Sequence, residues 1–593
     1  MSISSLGMLW RMSLLALCLM LAPIFAQAQA ARPNIVVIVV DDAAFMDFGV
    51  YGGEARTPNI DKLARAGTFF SNYHTSPLCS PSRAMLLTGV DNHRTGHATI
   101  EEVLAPQLRG RPGYTLRFEP GVVTVAERLK DSGYRTLMSG KWHLGRGAGD
   151  LPDSHGFQRS LALDASGADN YAARPYMPYY DRAPWFEDGK PARLPARFYS
   201  SDLIVDRLLA YIEEKPAGAA PYFAYLAFQA VHIPVQAPRD FSDAYAGRFD
   251  GGWEALRAKR WKRARTLGLI PPDAPLAPWP SGLRRWADLN DQERRIYARS
   301  MEVYAGMLEA MDQAIGRLVG RIEARGEMDR TLFIITSDNG PEPSDPVHAP
   351  GMNIWMPLNG YHWRLDRLGE QGSLGFIGPE WATAIASPHA HYKFYASGGG
   401  LKVPLIVSGP GVAAGGQSRA LVHVTDIAPT VLEIAGAPLQ AANARVPISG
   451  RSLAPALRDA AAAIRGPDDF VGVEVSGNAA LIKGDYKIVR NMAPVGDGGW
   501  RLFNLAVDPG ETRDLASAEP QRLKDMIAAY DVYAAQSGVL ALPAGYRVER
   551  QVMHNGMMQQ LRYNAALLVL LVGAIAVAIW FASRARRARR EHT

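Results

Sequence analysis

The feature that most constrains this chain is the run Pro33-Asn-Ile-Val-Val-Ile-Val-Val40. Side chains of a strand alternate between two faces, so an unbroken β-branched run is buried on both. Such a strand must lie inside a sheet that is covered above and below. Similar apolar runs recur at Tyr134 to Met138, Tyr222 to Phe228, Thr331 to Thr336 and Val403 to Val407. Helical patterns lie between them, at Ile60 to Gly67, Thr124 to Ser132 and Asp291 to Gly326. Alternation of this kind predicts an α/β fold, a large mainly parallel sheet sandwiched by helices. A chain of 593 residues, 48% hydrophobic and 21% charged, has ample material for such a core.

The rest is less regular. Pro175 to Pro195 and Pro271 to Pro280 read as loops. Pro341 to Gly399 is rich in Gly, Pro, Trp and His without a clear period, and reads as a long insertion (341–399) over one rim of the sheet. Its His348, His389, His391, Trp355, Trp363 and Trp381 either shape a ligand site or pack the loop. Beyond about residue 440, short strands are expected at Phe470 to Val475, Ala479 to Lys483, Tyr486 to Arg490 and Trp500 to Asn504, with a helix near Gln521 to Ser537. The expected division is an α/β domain over 31–440, a smaller C-terminal antiparallel sheet plus helix subdomain over 441–540, and a linker over 541–562.

Both ends carry topological signals. Arg11, the apolar stretch Leu14 to Phe25 and the small residues up to Ala30 form a secretory signal peptide over 1–30, with cleavage near Ala28 or Ala30. Residues 563–582 read as a transmembrane helix: Ala565 to Ala582 carries no charge, and Tyr563 and Trp580 lie near its ends. The basic tail 583–593 follows, with Arg584, Arg586, Arg587, Arg589 and Arg590. Arginine-rich flanks stay cytoplasmic. The expected localisation is therefore an exported chain anchored by its C-terminal helix, on the periplasmic side of the inner membrane in a bacterial host. The net charge of +6 is largely that tail, and no basic stripe with interleaved aromatics marks a nucleic-acid surface. Of two cysteines, Cys18 leaves with the signal peptide, so Cys79 stands alone and needs an explanation.

Ligands of open α/β sheets bind beyond the carboxyl ends of the strands. The first strand ends in Asp41-Asp42, and the strand from Thr331 ends in Ser337-Asp338-Asn339-Gly340. One aspartate after a strand usually caps a helix. Two oxygen-bearing pairs at equivalent ends favour a hard divalent cation such as calcium. Lys141 and His143 follow the strand at Tyr134, His232 follows the strand at Tyr222, and Lys402 precedes Val403. Each has a bland reading alone; together they make a cationic pocket suited to a tetrahedral oxyanion. Cys79 stands in Leu78-Cys-Ser-Pro-Ser-Arg-Ala-Met-Leu-Leu-Thr-Gly89, at an expected helix N-terminus that favours an anion.

Cys79-x-Pro81-Ser82-Arg83 followed by Thr88-Gly89 resembles the signature of type I sulfatases, in the alkaline phosphatase superfamily. Pro58-Asn-Ile-Asp-Lys-Leu-Ala64, Asp426-Ile-Ala-Pro-Thr430, Leu502-Phe-Asn-Leu505 and Asp508-Pro-Gly-Glu511 resemble further landmarks of that family, and the bacterial arylsulfatases look most similar. The resemblance runs from Pro33 to about Ala535. It implies an alkaline phosphatase-like catalytic domain that hydrolyses sulfate esters, and oxidation of Cys79 to formylglycine by dedicated generating machinery. It implies that Asp41, Asp42, Asp338, Asn339 and residue 79 bind calcium. It implies that Arg83 steadies the formylglycine, that Lys141 and Lys402 hold sulfate oxygens, that His143 lies beside the hydrate, and that His232 lies near the leaving oxygen.

The implied chemistry is attack on sulfur by one hydroxyl of the aldehyde hydrate, then collapse through the second hydroxyl to release sulfate. Partners implied are a small-molecule or carbohydrate sulfate ester, the generating machinery and the membrane, with no nucleic acid. Two rival readings are a phosphonate monoester or phosphodiester hydrolase on the same scaffold, and an inactive membrane-anchored binding protein.

Overall fold

The computed structural model describes residues 32–147 and 149–590. The expected signal peptide lies outside the described residues. The strand expected at Ile35 is β1, Asn34–Val40. Val36, Ile38 and Val40 enter one core while Ile35, Val37 and Val39 enter the other, all six fully buried. Burying one such side chain contributes about 2 kcal/mol, so β1 alone anchors both layers.

Nine more strands complete the sheet: β2 (Gly67–Phe70), β3 (Arg135–Lys141), β4 (Arg159–Leu163), β5 (Trp185–Glu187), β6 (Lys190–Pro191), β7 (Tyr222–Ala227), β8 (Thr331–Ser337), β9 (Leu405–Ser408) and β10 (Gly416–Ser418). Their order is β10-β2-β9-β8-β1-β7-β3-β4-β5-β6. The five central strands, β8 to β4, run parallel. The sheet as a whole is mixed, because β9 runs antiparallel to both β8 and β2, and β5 and β6 turn back at the other edge. The expectation of a mainly parallel sheet thus holds for the centre and fails at the flanks. Edge strands of two to four residues are too short to show a period.

Helices cover both faces. Helix α1, Cys79–Thr88, is buried at every position and closes at Gly89, whose φ of 72° lets its N–H reach the Met85 carbonyl. Helix α2, Asp291–Ala324, begins with a capping box in which Asn290 and Glu293 satisfy each other's backbone. The smaller sheet is antiparallel, β11 (Phe470–Val475), β12 (Asn478–Lys483), β13 (Tyr486–Arg490) and β14 (Arg501–Asn504). Helix α3, Pro520–Ser537, packs on it through Met526, Tyr530 and Tyr533. Two buried polar contacts tie this unit to the large one: Tyr533 donates to Asp91 at 2.8 Å, and His93 Nε2 lies 2.7 Å from Glu474.

The stretch expected as a linker contains helix α4, Val548–Tyr563. Helix α5, Ala565–Arg590, follows after Asn564. Within α5, Leu568–Arg587 is long and apolar enough to cross a membrane, with mean hydropathy 2.1 and none of it buried in the protein.

Candidate active site

The central strands deliver their ends to one rim. Asp41 and Asp42 leave β1, Lys141 ends β3, His232 follows β7, and Asp338 and Asn339 follow β8. Asp42 and His143 both sit in the left-handed region, at φ 67° and 56°. For non-glycine residues that conformation is strained and tends to cluster at functional sites. Gly140 supplies the close strand approach beside Lys141: a Cβ there would stand 1.8 Å from the Ala227 carbonyl.

The charges interlock. Lys141 Nζ donates to both Asp41 oxygens at 2.8 and 2.6 Å. Arg83 bridges Asp338 Oδ2 through Nε at 2.9 Å and Nη2 at 2.7 Å, and its Nη1 donates to the Lys141 carbonyl at 3.0 Å. Asn339 Nδ2 donates to Asp42 Oδ1 at 2.6 Å. Cys79 Sγ lies 3.9 Å from the same oxygen. Helix α1 thus places the cysteine and Arg83, one turn apart, against the carboxylates.

The site contains a lysine absent from the set expected by sequence. Lys393 Nζ reaches Asp42 at 2.9 and 3.0 Å and Glu342 at 2.7 Å. Lys402 lies elsewhere. It bridges to His74 at the entry to β9, and the charges that act on it are Lys487 and Glu511, beside the small sheet. The expected place of Lys402 in the oxyanion pocket is corrected: its position is fixed by β9, whereas Lys393 hangs on the loop that closes over the rim. That loop is seated by Gly340, whose N–H bonds the Gly400 carbonyl at 3.1 Å and whose Cβ would stand 1.8 Å from the Gly399 carbonyl. The Gly398-Gly-Gly400 run was the one available signal, since repeated glycine marks close backbone approach. Glu342 and Lys393, near the two ends of 341–399, therefore both line the pocket. Of the aromatic and histidine residues of that insertion, Trp381 is buried in the core and His389 bonds the Pro509 carbonyl at 3.0 Å.

Two histidines flank the cysteine side. His232 Nδ1 lies 2.6 Å from the Ile233 carbonyl, which turns Nε2 toward Asp42 at 3.6 Å and Glu342 at 3.9 Å. Burial, with Lys393 and Lys141 adding to it, holds His232 well below the usual imidazole range. His143 is held low by burial, then by Lys141 and Arg83. Its Nε2 is 3.9 Å from Glu102, which also accepts from Tyr180. Tyr176 stands edge-on to His232, ring centres 5.5 Å apart. Burial also pushes the Cys79 thiol well above its usual range, with Lys141 and Lys393 opposing the shift. A protonated thiol is a poor nucleophile.

The donor set fits a hard cation. Ligand atoms of Asp41, Asp42, Asp338 and Cys79 all lie within 4.8 Å of one another. Oxygens about 2.4 Å from one calcium can be no further apart than that. Asn339 Oδ1 is buried beside them with no hydrogen-bond partner. The three aspartates face three fixed cations, Arg83, Lys141 and Lys393, so a bound divalent ion leaves the pocket net positive. A carboxylate-lined cation site opposite lysines, at the ends of parallel strands, suits hydrolysis of an anionic tetrahedral ester.

Known proteins agree. The Sulfatase family model matches residues 33–437. An uncharacterised sulfatase of Schizosaccharomyces pombe is 33% identical over 88% of this chain and 97% of its own length. An arylsulfatase of Klebsiella aerogenes is 34% identical over 71% of this chain and 90% of its own. A crystal structure of Ps i-CgsB in complex with k-i-k-neocarrahexaose superposes with a TM-score of 0.62 at 22% identity, covering 89% of this chain and 97% of that one. This chain belongs to the Sulfatase family and is a sulfuric ester hydrolase. Neither the phosphonate hydrolase nor the inactive binding protein gains support from these relatives.

Proposed function

We propose that the protein is an arylsulfatase-type enzyme that works through formylglycine made from Cys79 with one calcium ion bound beside it. The observation that carries this reading is the convergence of Asp41, Asp42 and Asp338 on Cys79, with Arg83, Lys141 and Lys393 bonded to them. Asp41, Asp42, Asp338 and Asn339 would hold the ion, with residue 79 adding an oxygen, and its charge would favour the ionised form of a nearby hydroxyl. Formylglycine at position 79 would supply the hydroxyl chemistry for attack on sulfur and for release of sulfate.

The remaining work falls to the chain's own side chains. Arg83, fixed by Asp338, lies one helical turn from position 79 and stabilises negative charge there. The Lys141 and Lys393 ammonium groups donate to sulfate oxygens. Lys393 also stands beside His232, where the departing alcohol or phenol oxygen needs a donor. His143, buried, accepts the proton that releases sulfate.

The substrate is a small-molecule or carbohydrate sulfate ester. Residues 31–440 form the catalytic domain and 441–540 its C-terminal partner. The signal peptide and α5 together support an exported enzyme anchored at the outer face of the membrane, with residues 583–593 cytoplasmic.

The test is mass analysis of the peptide spanning Cys79 from protein made in its own host, beside turnover of phenyl sulfate. Exchange of sulfur for oxygen with loss of two hydrogens makes the peptide lighter. A plain thiol throughout active enzyme defeats the formylglycine reading.

A further inference from the structure

Helix α4 joins the catalytic site to the apolar helix α5. It is fastened to the cleft wall. Asn555, buried, donates to the carbonyls of Glu102 and Leu104 at 3.0 Å each and of Glu101 at 3.4 Å. Gln560 donates to the Pro178 carbonyl, and Tyr563 to that of Tyr179 at 3.2 Å. Val548 and Val552 pack on Leu78, Ile100 and Val103. These anchors belong to the site's own surroundings. Leu78 precedes Cys79, Glu102 faces His143, and Tyr176 to Tyr180 carry the aromatic side of the wall next to His232.

The exposed side of α4 carries an apolar stripe set among the polar residues Glu549, His554 and Arg562, and the stripe has no protein partner among the described residues. Met553, Met557 and Leu561, at i, i+4 and i+8, are 56%, 56% and 46% exposed. That spacing puts them in one stripe. Arg550, seven residues before Met557, falls on the same face. A soluble helix gains nothing by holding such a stripe in water. Only Asn564 separates α4 from α5, so Met557 lies about 16 Å along the chain's helical rise from Leu568, where the span starts.

We propose that the outer face of α4 rests on the lipid bilayer that α5 enters, and so holds the His143–His232 wall of the cleft at membrane level. The ester class that fits is then an amphiphile, its sulfate in the pocket and its apolar body in the bilayer. The substrate part of this inference rests on the sulfatase reading, and the surface part rests on the proposed anchoring by α5. Arg550 on the apolar face suits a headgroup layer, with its stem in the apolar zone and its guanidinium among phosphates. The aromatic wall of Tyr176, Tyr179 and Tyr180 lies between the pocket and this surface, on the side where His232 would meet the leaving group.

The test uses the full chain in vesicles of phosphatidylethanolamine and phosphatidylglycerol. A fluorophore on Met557→Cys is quenched by spin-labelled lipid, while one on Lys524→Cys, on α3, is not. Equal quenching at the two positions overturns the docking surface whether or not the enzyme turns over any ester. Turnover is then compared for phenyl sulfate and for hexadecylphenyl sulfate dissolved in the vesicles, which share one leaving-group chemistry. The triple variant Met553→Glu, Met557→Glu, Leu561→Glu keeps phenyl sulfate kcat/KM within about twofold and loses about tenfold or more on the tailed ester. An unchanged rate on the tailed ester, or an equal loss on both, overturns the substrate assignment. Failure of the parent enzyme on both esters sinks the sulfatase reading instead, and leaves the quenching result to decide the surface.

Discussion

Replacing Lys393 and Lys402 separately by methionine gives a direct test of the pocket. Both are buried lysines nine residues apart, and only Lys393 touches the carboxylates next to Cys79. Removing one preorganised donor from developing charge costs about 10²–10³ in kcat, or ~3–4 kcal/mol. Lys393→Met should fall in that range on phenyl sulfate. It also leaves Asp42 and Glu342 without their shared cation, and breaking such a buried pair costs ~3–5 kcal/mol of stability. A thermal melt must therefore accompany the kinetics, and kcat is compared only below the lowered midpoint. Lys402→Met should behave in the opposite sense. Burial, then Lys487, pushes the Lys402 ammonium down to about 8, against a partial pull upward from Glu511. Methionine removes a charge the fold disfavours, so stability should hold or rise, and kcat/KM should stay within about threefold. If Lys402→Met loses as much activity as Lys393→Met, the assignment of the pocket lysine is wrong.

Three further outcomes follow from particular contacts. Gly340→Ala drives a Cβ into the Gly399 carbonyl, so the Lys393 loop must shift; a loss of ~1–3 kcal/mol in stability and about 10²-fold in kcat/KM is expected from melting and rate measurements. Calcium chelation should abolish turnover and lower the melting temperature, by ~4 kcal/mol of linkage if the ion was present at about a thousand times its Kd, and added calcium should restore both; a chelator-insensitive melt refutes the cation site. His93 is opposed by burial, but its partners Asp91 and Glu474 win and raise it to about 9. A raised folded pKa gives stability that is full below pH ~6.5 and lost as pH rises through about 9, worth ~3 kcal/mol. Denaturant melts of wild type and His93→Gln should converge across that window, and a constant gap between them counts against the pairing.

How much of the fold was legible depended on burial. β1 announced itself because both its faces are covered, and α2 because its second half, with Met311, Ala314, Ile315, Leu318 and Ile322 buried, keeps a helical period while Asn290 and Glu293 mark its start. Helix α1 is buried all round and has no period, so only Pro81 marked its start. The antiparallel flanks escaped because β9 looks locally like its parallel neighbours. Strand direction is set by the connection, here the irregular 341–399 segment, and not by the side chains of the strand. The rims themselves followed from one rule, that the ends of parallel strands converge, and it brought Asp41, Asp42, Lys141, His143, His232, Asp338 and Asn339 together.

That rule also explains the error at Lys402. It reads chemistry from residues beside strands, and Lys402 stands beside a strand. Glu342 follows β8 as closely as His232 follows β7, but Lys393 stands beside no strand and reaches the pocket because its loop packs backbone-to-backbone on Gly340. Such a contact costs no side-chain signature except missing Cβ atoms, and those were present at Gly340, Gly399 and Gly400. A cationic pocket needs only charge at the right place, whichever segment carries it. The physical consequence is that pocket affinity for sulfate depends on the stability of this loop. Substitutions at Gly399 that leave every charged residue intact should then weaken substrate binding and the closing of Lys393 on Asp42 together, whereas substitutions near Lys402 should alter the packing of the small sheet and leave the pocket alone.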